Sequence, residues 1–505
     1  MPYTPTPPFR LSHLLPRPCG LRPGRPRRWR YSVFAKTLLF VVVGHAAGFA
    51  FPEDPPRHRV AIGVRQLFLD DVGIAQRQGL QRRLHRPHKR GAVIRSPDPK
   101  QTVQTRTAPV WDPIAKRYKL WVIGTDQNLW ESRDALHWVP GPATDKHISM
   151  AVYDARDPDP ARRFKAPILN RGFAVSGDGV HWKDLKVSKI ASFDEGNFSY
   201  APTPGVFVHT VKRKGTYGRA LALASSHNFI DWDDMGVVFQ SDERDQVLGR
   251  QHIDARFLDT GLSHPPYRDP AVYNVDVYNM GVFHYEGVYV GIPAMYHATG
   301  PVPNYPNTVG FHLLQLAFSR DLKEWHRLGH RATWIGPSRR GSGAYDMTQI
   351  LPPSAPLIRG DELWFYYTGL KWRGSFTYQG TFPNGTMIPI RGKDRDGGAI
   401  CLAVLRRDGF ISLDAGEASG VLETEPFILP GKQLYLNADA HDGEVQATLL
   451  DTSGHSLATS EPITGDQPRA RVVWKIGSSA EYLGDPVVLR LKLRNASVYS
   501  YWLAP

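Results

Sequence analysis

Two cysteines in 505 residues are too few for a fold built on disulfides. Cys19 sits in a leader-like N-terminus and Cys401 in the apolar run AICLAVL. The body of the chain is therefore expected to hold one thiol, buried as a small core residue rather than poised as a nucleophile. Clean helical periodicity over a long segment is also missing, which excludes a helical bundle. Acidic residues are absent from 1–36, which carry eight Arg or Lys. The run TLLFVVVGHAAGFA (37–50) follows, apolar but for His45 and short for a membrane span. It has the form of a signal h-region, and Gly48 and Ala50 place a small-x-small cleavage pattern before Phe51. Export is the expectation, periplasmic or extracellular, with an uncleaved membrane anchor as the alternative. Without those eight charges the net charge falls from +14 to +6. No basic stripe with interleaved aromatics remains, so nucleic acid is not an expected partner.

What the chain has is repetition. Aromatics make up 11% of it, with 46 Gly and 42 Pro, a composition suited to many strands and turns. Four times a serine is followed two residues later by Asp or Asn and six residues later by Trp. The copies are SRDALHW (Ser132, Asp134, Trp138), SGDGVHW (Ser176, Asp178, Trp182), SHNFIDW (Ser226, Asn228, Trp232) and SRDLKEW (Ser319, Asp321, Trp325). RRDGFIS, with Asp408 in the Asp position, reads as a degraded fifth. An Asp or Asn here closes a turn by bonding the backbone ahead of it, and the Trp buries its face against a neighbouring unit. The motif resembles the Asp boxes of sialidases, which are scaffold. Each copy follows paired strand-like runs, such as VFVHTVK (206–212) and RALALAS (219–225).

Two or three short strands, a turn and a Trp make a propeller blade. The spacing predicts an all-β fold: a five-bladed β-propeller over 105–416, then a β-sandwich over 417–505. The blades fall at 105–142, 147–187, 194–240, 274–328 and 345–416. Residues 51–104 lead into the propeller. In the last domain, turns are expected at His441–Gly443, Ser453–Gly454 and Gly465–Asp466.

Residues just upstream of each inner strand meet at the propeller axis. There blade three offers Asp194, Glu195 and Asn197, blade four Asp276, Tyr278 and Asn279, and blade five Tyr345, Asp346 and Gln349. Convergent carboxylates are what glycosidic chemistry requires, one as acid and one as nucleophile or base. The candidate catalytic set is Asp194, Asp276, Asp346 and Glu195, expected at one end of the channel. For any one of them, capping a turn is an equal reading. Candidate substrate contacts are Tyr278, Tyr345, and His252, Asp254 and Arg340 from insertions 241–273 and 333–346. One His and one Asp two apart make a weak metal signal, and a solvated loop is the expected reading of 241–273. No metal or cofactor is expected. Trp372 and Tyr378 are candidate stacking faces. Glu286 and Glu362 read as exposed turn residues.

The chain resembles the five-bladed propeller glycoside hydrolases of families 32, 43, 130 and 117, most of all the propeller-plus-sandwich layout of family 32. It is also similar to a group of exported planctomycete-type bacterial proteins. Those begin with a QLFLDD-like segment (here 66–71) and end in an LRNASVYSY-like strand (here 493–501). The resemblance covers roughly 60–505 and implies a carbohydrate substrate. It also implies an Asp from blade one, an Asp from blade two and a Glu acid from blade three. Blade one offers only Asp112, in a turn-like VWDPIAKRYKLW, and the Trp/Asn-Asp-Pro and Glu-Cys motifs are missing. Arg268–Asp269–Pro270 matches the Arg-Asp-Pro motif in letters but lies in the wrong blade. Glu195 is the nearest positional match to the blade-three acid. The alternatives to a glycosidase are a non-catalytic glycan-binding propeller and an envelope scaffold.

Overall fold

Each Ser-x-Asp turn is built by the same local bonds. The serine ends a strand, and its Oγ accepts the N–H of the residue three ahead, at 2.9 Å from Ala135, 2.8 Å from Gly179, 2.9 Å from Phe229 and 2.9 Å from Leu322. Those four residues have left-handed backbones, with φ of 65°, 75°, 64° and 67°. Three of them are not glycine, so the turn bonds hold a conformation costing about 1 kcal/mol. The indole N–H of Trp138, Trp182 and Trp325 folds back to donate to the carbonyl of that same residue, at 3.0–3.1 Å.

The computed structural model describes residues 58–372, 380–388 and 396–505. The leader with Cys19, and Tyr378, lie outside them. Five small antiparallel sheets form a five-bladed β-propeller. Blade one runs from Val110–Asp112 to Trp138–Pro140 and blade two from Val152–Tyr153 to Lys183–Leu185. Blade three comprises Gly196–Ala201, Val206–Gly215, Gly218–Ser226 and Asp233–Phe239. Blade four opens on the long hairpin Asn274–Tyr285 and Val288–Pro301 and ends at His326–Arg327. Blade five holds Gln349–Leu351, Glu362–Leu370 and Gly398–Arg406. Its outer strand is His88–Arg95, paired to Gly398–Arg406, so a segment ahead of blade one closes the ring.

The tryptophans join the blades. Each meets an aromatic ring of the preceding blade: Trp182 on Trp121 (5.9 Å), Trp232 on Phe173 (4.7 Å), Trp325 on Phe239 (6.3 Å) and, across the closure, Trp138 on Tyr366 (5.9 Å). Trp138 and Trp182 are buried, while Trp232 and Trp325 are half-buried. The fifth copy is out of register. Asp408 itself takes the left-handed position, with φ 63°. It is buried and accepts bonds from Arg65, Tyr285 and Ser500, tying the strands before the propeller, blade four and the C-terminal sheet together.

The C-terminal strands form a large curled sheet that fits a sandwich. It also takes Ile411–Ala415 and three strands from 66–84. Gln433–Leu450 runs unbroken through the turn expected at 441–443, with only a register shift there. Ile463–Arg471 likewise runs through the turn expected at 465–466. The turn at 453–454 is present, with the Gly454 N–H on the Asp451 carbonyl.

Residues 241–273, expected as a loop, begin with the α-helix Glu243–Leu258. Asp242 caps Asp245 and Asp245 caps back, a reciprocal box that fixes the start. Its buried positions are Asp245, Gly249, Ile253 and Arg256, a helical spacing carried by only one large apolar side chain. Hydrophobic periodicity could not reveal it.

Candidate active site

The inner strands deliver two of the expected carboxylates to one place. Asp194 lies two residues before Gly196–Ala201, and Asp276 sits in Asn274–Tyr285. Both line a cavity of about 590 Å³, with Tyr278, Lys212, Lys214 and Arg219. Lys212 and Arg219 come from the neighbouring strands of blade three, Val206–Gly215 and Gly218–Ser226.

The two carboxylates differ in surroundings. Asp194 is exposed, its side chain 68% accessible, and Lys212 Nζ lies 2.6 Å from its Oδ1. Asp276 is only 5% exposed. Its Oδ2 accepts from Arg219 Nε at 2.8 Å and from the Arg219 backbone N–H at 3.2 Å. Its Oδ1 is fully enclosed, with no hydrogen-bond partner among the described residues. Burial pushes the Asp276 carboxyl above its ordinary value, against the pull of Arg219. Gly218 makes the approach possible: its φ is 114°, and a Cβ there would stand 2.8 Å from Asp276 Oδ2.

Tyr278 forms the apolar floor. Lys212 Nζ lies 3.7 Å from its ring centroid and the Arg219 guanidinium 5.1 Å. Arg219 also covers Tyr296 at 4.4 Å. These are cation–π distances, which help to hold two cations in a partly dry site. Burial lowers the Lys212 ammonium, with Glu195 and Asp194 opposing. Lys214 is exposed at the rim.

Glu195 lies beside Lys212 but does not line the cavity. Its carboxylate takes a two-point ion pair from Arg106, just ahead of blade one, with Arg106 Nη2 at 2.8 Å from Oε1. Asn279 Nδ2 donates to its other oxygen at 3.0 Å, and Asn197 donates to Asn279 at 2.6 Å. Burial works against the Arg106 charge, but Glu195 more than offsets it and the guanidinium is held above its usual value. This buried chain links blades one, three and four.

The remaining candidates do not join the cavity. Asp346 is buried and bonded to the Tyr367 hydroxyl at 2.8 Å and to Lys89 Nζ at 2.7 Å. That places it against the outer strand of its own blade, so the expected three-carboxylate convergence is a two-carboxylate one. Tyr345 donates to Asp396 at 2.7 Å beneath Lys371. His252 lies on the helix with Nδ1 3.2 Å from His297 Nε2. Asp254 and Arg340 are exposed. Trp372 is exposed too, and Glu286, expected in an open turn, is half-buried against Arg65 and Arg407. Sequence reasoning passed over Arg106, Lys212 and Arg219. The signal for the last two was a cation at the end of each of two apolar runs, VFVHTVK and RALALAS, that form one hairpin.

No family model matches the chain, and no curated protein matches it. Among solved structures, the chain is similar to a protein described as a glycoside hydrolase (12% identity, 64% of this chain, 92% of that one, TM-score 0.35). It is similar to an N-acetylgalactosamine deacetylase from F. plautii (15%, 70% and 96%, TM-score 0.33). It is also similar to the Bombyx mori GH32 beta-fructofuranosidase (11%, 83% and 95%, TM-score 0.34). Likenesses this distant carry no argument about activity, and the propeller rests on the chain's own strand order.

Proposed function

We propose that the chain is a glycan-acting enzyme, a glycoside hydrolase whose chemistry lies in the cavity between blades three and four. The observation that carries this reading is the unlike pair: Asp276 buried and pushed up, Asp194 exposed and beside a lysine, both on one cavity. A buried carboxyl suits the acid and an exposed one the nucleophile or base. Asp276, which lines the cavity, is the general acid that protonates the glycosidic oxygen. Asp194, exposed and 2.6 Å from Lys212 Nζ, is the nucleophile or activates water. Tyr278 offers a ring face to the sugar. Glu195, held by Arg106 and Asn279, ties neighbouring blades together beside the cavity.

The test is an aryl-glycoside panel assayed with wild type, Asp276→Asn and Asp194→Asn. Turnover in wild type, lost by orders of magnitude in both variants at unchanged thermal stability, supports the reading. A second reading, a non-catalytic glycan-binding propeller, draws on the ion pairs that already match both carboxylates. It takes over if wild type binds glycans and cleaves none. Export through residues 1–50 belongs to the same proposal. Mass spectrometry of the natively expressed protein should find a mature start near Phe51, and an intact leader in the membrane fraction would favour the anchor.

A further inference from the structure

The charges of the cavity do not cancel. Lys212 is matched by Asp194 at 2.6 Å and Arg219 by Asp276 at 2.8 Å. Lys214, on the same strand as Lys212, lines the cavity with no ion pair among the described residues. One positive charge is therefore in excess. The acid role adds a second, because a protonated Asp276 leaves Arg219 without a counter-charge. A neutral sugar answers neither.

Lys214 and Arg219 are paired across the blade-three hairpin, and the Tyr278 ring faces Lys212 and Arg219 in the same cavity.

We propose that the substrate is an anionic saccharide, a glycan whose sugar carries a carboxylate or a sulfate ester, with the anion received by Lys214 and Arg219. This rests on the hydrolase reading for which residue is the acid, but not for the excess of positive charge. The same excess steers anions to the mouth and makes association depend on salt.

The test is calorimetric titration of the full chain with three probes: an oligogalacturonate, a sulfated galactan oligosaccharide and a neutral galactan oligosaccharide. Product formation from each is followed separately by chromatography. The expected result is binding of at least one anionic probe, weakened several-fold between about 50 and about 300 mM NaCl. Lys214→Glu should weaken it by about tenfold, while Lys214→Arg keeps it. Oligogalacturonate against sulfated galactan separates a carboxylate from a sulfate site. Lys214 is exposed, so a melting curve equal to wild type is expected of both variants. Equal or tighter binding of the neutral probe, or no effect of Lys214→Glu, overturns the inference. Cleavage of the neutral probe alone overturns it and leaves the hydrolase reading standing. Binding of an anionic probe with no cleavage of any does the reverse.

Discussion

The turn aspartates and the cavity aspartates carry the same group into opposite surroundings. At Asp134 the His137 side chain and backbone N–H hold the carboxyl well below the usual range. At Asp178 partial burial works the other way, but His181 and two backbone N–H groups still hold it low. At Asp321 the N–H groups of Glu324 and Lys323 do so. Asp276 has Arg219 beside it and still moves up, because burial outweighs the ion pair. Local donors supplied by the next few residues make a scaffold carboxylate. Removal from water by a neighbouring strand makes one suited to proton transfer.

The sharpest break in that comparison is kinetic. Asp276→Asn should cut kcat/KM by at least about a hundredfold, whereas Asp178→Asn leaves it near wild type. A general acid must be protonated, so activity should fall as pH rises through the Asp276 pKa. The basic limb of the pH–rate profile should disappear in Asp276→Asn and persist in Asp178→Asn. A basic limb that survives Asp276→Asn assigns the acid to another group.

The next effect is on stability. Arg106 and Glu195 are both buried, and removing one leaves the other charged and unpaired. Glu195→Leu should cost about 3 kcal/mol in denaturant unfolding, and the double change Arg106→Leu with Glu195→Leu should recover much of it. If Glu195→Leu is instead mild in stability and severe in turnover, Glu195 belongs with the cavity carboxylates.

A third effect follows from the histidines between the helix and blade four. Burial lowers the His297 ring to about 3, with His252 adding to the shift, and the ring stacks on Phe311 at 4.9 Å. A base depressed on folding contributes stability that is complete above its unfolded value, near 6.5, and is lost as pH falls from there toward about 3. His297→Phe should flatten the dependence of unfolding free energy on pH between 6.5 and 4.5, by on the order of 2 kcal/mol. Equal slopes in both proteins would place the acid sensitivity elsewhere.

Legibility in the sequence followed the same division. Four of the blades were readable because their turns are each made from seven consecutive residues, and Trp138, Trp182, Trp232 and Trp325 sit where such a repeat puts them. That Asp194 and Asp276 line one cavity could be approached from strand starts, because their strands open neighbouring blades. The place of Asp346 was not readable, since its partner Lys89 comes from a strand 257 positions earlier that closes the ring. Lys212 and Arg219 were passed over because each matters only through the opposite carboxylate. The helix was missed because Asp245, Gly249 and Arg256 occupy the face where apolar residues were sought.

The smallest effect tests whether a turn is local enough to be rewritten by its own residues. In copies one and two the Asp pairs with a His three residues on, Asp134 with His137 at 2.7 Å and Asp178 with His181 at 2.8 Å. In copy three Asn228 donates instead to Asp231, at 2.8 Å. Both arrangements keep the side-chain oxygen on the two N–H groups ahead of it, here those of Ile230 and Asp231 at 2.8–2.9 Å. Asn228→Asp keeps that acceptor but sets one carboxylate against another. It should lower stability by about 0.5 kcal/mol at low ionic strength, and less in high salt. Adding Asp231→His recreates the pairing of the first two copies and should restore the loss. If the double variant is no better than the single one, Trp232, which stacks on Phe173 and leaves its indole N–H without a partner among the described residues, sets the turn through packing between blades.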